Sequence, residues 1–386
     1  MSESEPLARS RQPFRSFFAL AALDAIAGVL LWLLPYDSPS VNGHREELLW
    51  GMVPAVMAGF LLTALPRWTH APPIQAALVD ALLLLWLAGR FAHWWWPDHG
   101  SLLAGAFILG LAATLGVRVV AAGKTREYKI VALLVLLALA AVLPSVAMDR
   151  LPAGFSHRLA LASVLALVAI ISGRIIPALT ATWLCLHDKD PARRLPPLFE
   201  LASAVALAAA LGCWCLGLGV GTPASACAAI LHSVRLLSWR PLDALDHPGL
   251  LALYLAYGWL PAGFALLFLH QAGLGPFGES AAIHAWAVGA IGLMCLAVMA
   301  SMIRRQTRRP FSKSGTLTAA LACGAAAVPS RLMVEVAGRT WLLPAVACWI
   351  GAFLLFLLAF RAELLWPLGP IAKPADRPRV EARPPG

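Results

Sequence analysis

Between Phe14 and Leu364 the chain consists of apolar stretches of about 20 residues, separated by short runs containing charge, Pro or Gly. An α-helix of that length crosses the hydrocarbon core of a bilayer and satisfies its own backbone groups, so each stretch is a candidate membrane-spanning helix. The windows lie near residues 15–34, 48–65, 74–96, 101–122, 128–147, 156–180, 197–218, 222–239, 248–270, 279–303, 315–335 and 340–363. With 60% hydrophobic and only 13% charged residues, an ordinary soluble domain is excluded. No hydrophilic stretch is long enough for a soluble catalytic domain, so any chemistry must occur in or beside the bilayer. The expected fold is an all-α polytopic membrane bundle of about twelve transmembrane helices, bracketed by a 1–14 cytoplasmic segment and a Pro-rich disordered cytoplasmic tail over 365–386.

Orientation follows from the short loops, because Lys and Arg accumulate on the cytoplasmic side. Loops after even-numbered windows carry Arg67, then Lys124 and Arg126, then Lys189, Arg193 and Arg194, then Arg240, then Arg304, Arg305, Arg308, Arg309 and Lys313. Those after odd-numbered windows offer only Arg45, Arg150 and Arg339. Both termini are therefore expected inside. Arg9, Arg11 and Arg15 precede the first window, which is longer than a signal-peptide core and lacks a small-x-small cleavage site, so an uncleaved first helix is expected. The net charge of +10 then needs no nucleic-acid partner. Membrane lipids are the expected partners of the basic loops. The seven cysteines fall almost wholly within apolar windows, which reads as small buried side chains rather than a disulfide framework.

Ionisable residues inside apolar windows are costly and therefore candidates for function. They include Asp24, Asp80, Arg90, His93, Arg174, His232, Arg235, His284 and Arg331. Arg90 and His93 precede Trp94, Trp95 and Trp96, an expected aromatic belt at the outer interface toward which both can snorkel. His232 lies deep in its window with Arg235 a turn further on, whereas His284 lies in the outer half beside a seam of Ala281, Ala285, Gly289 and Gly292. Such a seam permits close helix approach and turns His284 toward protein rather than lipid. His44 and Glu47, three apart where the second helix begins, share one face and can offer an imidazole and a carboxylate to one metal. Each of these features also fits a packing residue or a helix start with acidic residues at its positive end.

Five stretches in order, AGFLLTALPRWTHAPP from Ala58, SGRIIPALTATWL from Ser172, LHSVRLLSWRP from Leu231, YGWLPAG from Tyr257 and HAWAVGAIGLM from His284, resemble the NnrS family. The resemblance extends over nearly the whole chain. It implies a bacterial inner-membrane protein of about twelve helices, linked to haem and copper and to protection from nitric oxide and nitrosative stress, often alongside denitrification. Metal ligands implied by it are His44, His232 and His284, with Glu47 in support. Arg174 or Arg235 would pair with a haem propionate or with a helix carbonyl. Three histidines of the family pattern are replaced, by Glu46, Tyr254 and Gln306. The matched imidazoles then suffice for one metal rather than two full sites, with Tyr254 a conceivable axial haem ligand in place of a histidine. No C-x-x-C-H run is present, so haem would be held without thioether linkage. Two further readings stay open. One is a secondary transporter of a small solute, with Arg174 near Pro177 marking a broken helix; the other is a metal-free scaffold with unknown protein partners.

Overall fold

The computed structural model describes residues 12–30, 40–147, 152, 154–192 and 195–366. Within them every long apolar window is a helix, and no strand occurs among the described residues. The N-terminal segment before residue 12, the tail from 367 onward, and the loop residues Arg150, Arg193 and Arg194 lie outside the described residues.

In chain order the helices are α1 (Pro13–Leu30), α2, α3 (Ala76–Trp95), α4 (Pro97–Ala121), α5 (Tyr128–Ala147), α6 (Phe155–Leu186), α7 (Pro197–Leu216), α8 (Gly221–Ser238), α9 (Pro248–Gln271), α10, α11 (Gly315–Ala337), α12 (Leu342–Ala359) and the short α13 (Arg361–Leu365). Two of them change pitch. α2 comprises Ser40–Glu46, a π-helical segment Glu47–Met52 and Val53–Thr69, while α10 comprises Glu279–His284, a π-helical segment Ala285–Leu293 and Met294–Gln306.

Eleven of these helices are long and apolar enough to cross a membrane among the described residues, and α8 is the window that falls outside that set. The reason lies in its composition: Thr222, Ser225, His232, Ser233, Arg235 and Ser238 dilute its apolar character. α6 runs unbroken for 32 residues through Pro177, well past the window expected from sequence, so the broken helix imagined there does not exist. The protein is a multi-pass helical membrane bundle.

Packing explains which helices matter most. α1 packs against α2 and also against α12, so the series of neighbouring helices closes on itself, and α10 touches α2, α6, α9, α11 and α12. α2 and α10 are accordingly the most enclosed spans, with 89% and 78% of their apolar windows buried inside the protein. The small-residue seam of α10 is filled by indole rings: a Cβ at Gly289 would collide with Trp259, and one at Gly292 with Trp349. Trp349 is fixed in turn by its Nε1 donating to the Ala25 carbonyl at 2.8 Å. Residues facing lipid need no protein cover, which corrects the expectation for cysteines: Cys185 and Cys227 are exposed, and only Cys215 is fully buried.

Candidate functional site

The two central helices share an unusual local geometry. A π-helical segment starts immediately after His284 in α10, and another starts three residues after His44 in α2. Each extra residue per turn rotates the side chains that follow, and such segments recur at functional sites. Here His44 and His284 both line one cavity of about 470 Å³.

The walls of this cavity are mostly apolar, with Leu48, Leu49, Met52, Ile283, Val288 and Trp349 among them. Three guanidiniums (Arg45, Arg158, Arg331), a third imidazole (His157) and Glu279 complete the lining. His44, His157, Glu279, Ser280 and His284 belong to the first two turns of α2, α6 and α10, while Trp214 and Arg331 come from the last two turns of α7 and α11. The cavity therefore lies toward the end of the bundle where even-numbered helices begin, the end expected to be outer from the basic loops.

His284 is held in a defined tautomer. Its Nδ1–H donates to the Ser280 carbonyl at 2.7 Å, which puts the ring's acceptor lone pair on Nε2. Behind it the Ser280 hydroxyl donates to Glu335 at 2.8 Å, and Arg331 donates to the same carboxylate oxygen at 3.0 Å. A metal-bound histidine usually gives its other N–H to a carbonyl or carboxylate in this way. On the same helix, directly before Ser280, Glu279 pairs with Arg158 at 3.0 Å and accepts from the Trp214 indole at 2.7 Å.

Other residues singled out from sequence lie elsewhere. Glu47 does not join His44: the π-helical segment that it opens turns it inward to an ion pair with Arg90 at 2.9 Å, and both side chains are buried. Arg90 therefore does not snorkel, and Asp24 and His93 border the same pair. Trp94, Trp95 and Trp96 are exposed, as an interfacial belt requires. His232 is absent from the cavity wall; its Nδ1 lies 2.7 Å from the Tyr257 hydroxyl between α8 and α9. Arg235 closes that cluster, bonding to Glu200 at 2.8 Å, to the Ala169 carbonyl and the Tyr257 hydroxyl at 3.1 Å each, with its guanidinium 5.3 Å from the Trp239 ring centre. Arg174 pairs with Glu127 at 2.5 Å. The Tyr254 hydroxyl donates to the Trp239 carbonyl at 2.8 Å and meets Thr180 at 2.6 Å. Glu46 stands between His93 and His157, at 3.6 and 3.7 Å, and Gln306 lies at the other end of α10, its amide against Met302.

The family model described as NnrS protein matches residues 8–367. The chain belongs to the NnrS family. No curated protein matches it significantly.

Whether this NnrS-family chain fits the implied cofactors is a question of donors. Haem takes one or two axial imidazoles, apolar enclosure and cations for its propionates, and the outer cavity offers each of these. A dedicated copper centre takes about three nitrogen or sulfur donors. Among the described residues no group of three His, Cys, Asp or Glu comes together to hold a metal ion. The residues thus fit haem and do not fit a separate copper site. Arg45, Arg158 and Arg331 line this cavity, Arg158 and Arg331 already paired with Glu279 and Glu335, whereas Arg174 and Arg235 do not line it. Sequence reasoning passed over His157, Arg158 and Glu279; their signal was the recurrence of His and charged residues in the first turn of even-numbered helices.

Proposed function

We propose that this NnrS-family protein is a haem-binding protein of the bacterial inner membrane that acts on nitric oxide or a related small molecule in nitric oxide metabolism or resistance to nitrosative stress. The observation that carries the reading is the convergence of His44 and His284, from the two most enclosed helices, on one apolar cavity with an arginine rim. When bound, haem iron would supply reversible coordination of nitric oxide and one-electron exchange.

The protein's own residues have separable tasks in this reading. His284 is oriented by the Ser280 carbonyl, and Ser280 by Glu335, which fixes the direction of the imidazole. His44 supplies the second imidazole from the facing helix. Arg45 would meet a propionate directly and Arg158 and Arg331 would do so alongside their own partners Glu279 and Glu335, while the aliphatic and indole walls give the site an apolar surround. An uncharged diatomic ligand needs no polar route to such a cavity and can enter from lipid.

The test is an optical spectrum with elemental analysis on detergent-purified protein, before and after nitric oxide under reducing conditions. A Soret band that shifts with nitric oxide and is lost in His284→Ala is expected. A colourless, iron-free protein from cells well supplied with haem would sink the proposal.

A further inference from the structure

Asp24 of α1, Glu47 of α2 and Arg90 of α3 meet inside the bundle, and none of them lines the outer cavity. Glycine lets them approach. A Cβ at Gly51 of α2 would collide with Oδ2 of Asp24 and crowd the Arg90 side chain at 3.1 Å, and one at Gly28 of α1 would stand 3.2 Å from the Glu47 Cβ.

Two acids here share one strong base. Glu47 is 3% exposed and gives Oε2 to Arg90 at 2.9 Å, while its Oε1 makes no hydrogen bond and has the His93 Nε2 at 3.8 Å. Oδ2 of Asp24 is likewise buried without a hydrogen bond, and the Asp24 carboxyl lies within hydrogen-bonding range of the Glu47 carboxyl and near the Met52 amide. Ionised carboxylates only accept, so this contact would supply no hydrogen bond and would set like charges side by side in a low-dielectric interior. A single proton between the two groups removes both problems, and it needs no cavity.

Charge counting points the same way. Glu47 and Arg90 neutralise each other, and His93 has Glu46 as its own carboxylate at 3.6 Å. An ionised Asp24 would add an unbalanced charge to a membrane-spanning helix, beside the outward-turned Leu23. A metal cation would require several further ligands, and no group of three His, Cys, Asp or Glu gathers to hold one among the described residues.

We propose that Asp24 and Glu47 form a proton-binding site that holds one exchangeable proton, carried by Asp24 and donated to the Glu47 carboxylate. Arg90 fixes Glu47 as the ionised partner. His93 stands between this pair and Glu46, whose side chain is 34% exposed, so one imidazole separates the proton from the protein surface. The site is independent of haem.

The experiment is infrared spectroscopy of the full-length protein in detergent at neutral pH, with carbon-13 in the aspartate carboxyls to separate Asp from Glu. The expected signal is a protonated-aspartate band that shifts in deuterium oxide and disappears as the pH is raised. Asp24→Asn should abolish it and still fold, because the amide can donate to Glu47 in the proton's place. Glu47→Gln should abolish it too, since Asp24 then ionises against Arg90. Asp80→Asn, at the other intramembrane aspartate of α3, should keep it. Absence of an Asp24-dependent band from the folded wild type, or its persistence in Glu47→Gln, overturns the proposal. So does a band seen only when sodium and potassium are removed, which would mean that a cation occupies the pair.

Discussion

Replacing Glu47 separates a structural role from a metal-binding one. Its side chain is 4% exposed, that of Arg90 is 11% exposed, and they meet at 2.9 Å between α2 and α3. Removing one partner of a buried ion pair leaves an uncompensated charge, at a cost of about 3–5 kcal/mol. Asp24 also acts on Arg90 and can take up part of its charge, which brings Glu47→Gln to the lower end, about 3 kcal/mol. Replacing both partners by apolar residues, Glu47→Leu with Arg90→Met, should restore most of the loss, because neither charge then remains to be desolvated. The assay is a double-mutant cycle on thermal unfolding in one detergent, read with haem content per chain. Haem per folded chain should be the same in wild type and Glu47→Gln. If the double variant is as unstable as the two single losses added, or if Glu47→Gln folds normally but loses its haem, the assignment of Glu47 to Arg90 is refuted.

Further expectations concern other parts of the bundle. Gly292→Val drives a side chain into the Trp349 ring on the cavity wall and should cost about 1–3 kcal/mol by overpacking, seen as a lower unfolding midpoint. Tyr257→Phe removes the hydroxyl that serves both His232 and Arg235 and should cost about 1–3 kcal/mol, measured the same way; an unchanged midpoint would show that the cluster does not tie α8 to α9. His247 has a lowered pKa, from burial first and Arg304 second, so below its ordinary value near 6.5 the unfolded chain binds more protons than the folded one. Stability should therefore fall as pH drops from about 6.5 toward the folded pKa, and His247→Gln should flatten that part of the midpoint-against-pH curve.

Much of the architecture was legible in the sequence because its causes are local. The windows of spanning length, eleven of which are helices apolar enough to cross a membrane among the described residues, and the exposed indoles at Trp94–Trp96 each follow from how a short segment partitions between water and lipid. Even the direction in which His284 faces could be read from the Ala and Gly seam beside it. What failed was reasoning about partners. Spacing of three placed His44 and Glu47 on one face, but π-helical winding gave Glu47 to Arg90 and left His44 on the cavity.

The sequence by itself determined that this is a polytopic helical membrane protein and that it is similar to the NnrS family. Only the tertiary structure decided which polar residues meet. Hydrophobic length and loop charge are sums over neighbours in the chain, whereas the outer cavity draws His44, His157 and His284 from three helices more than a hundred residues apart in sequence. Their convergence depends on helix rotation and on where the winding changes pitch. Neither is written in the composition of any one segment; both follow from how α2 and α10 pack at the centre of the bundle.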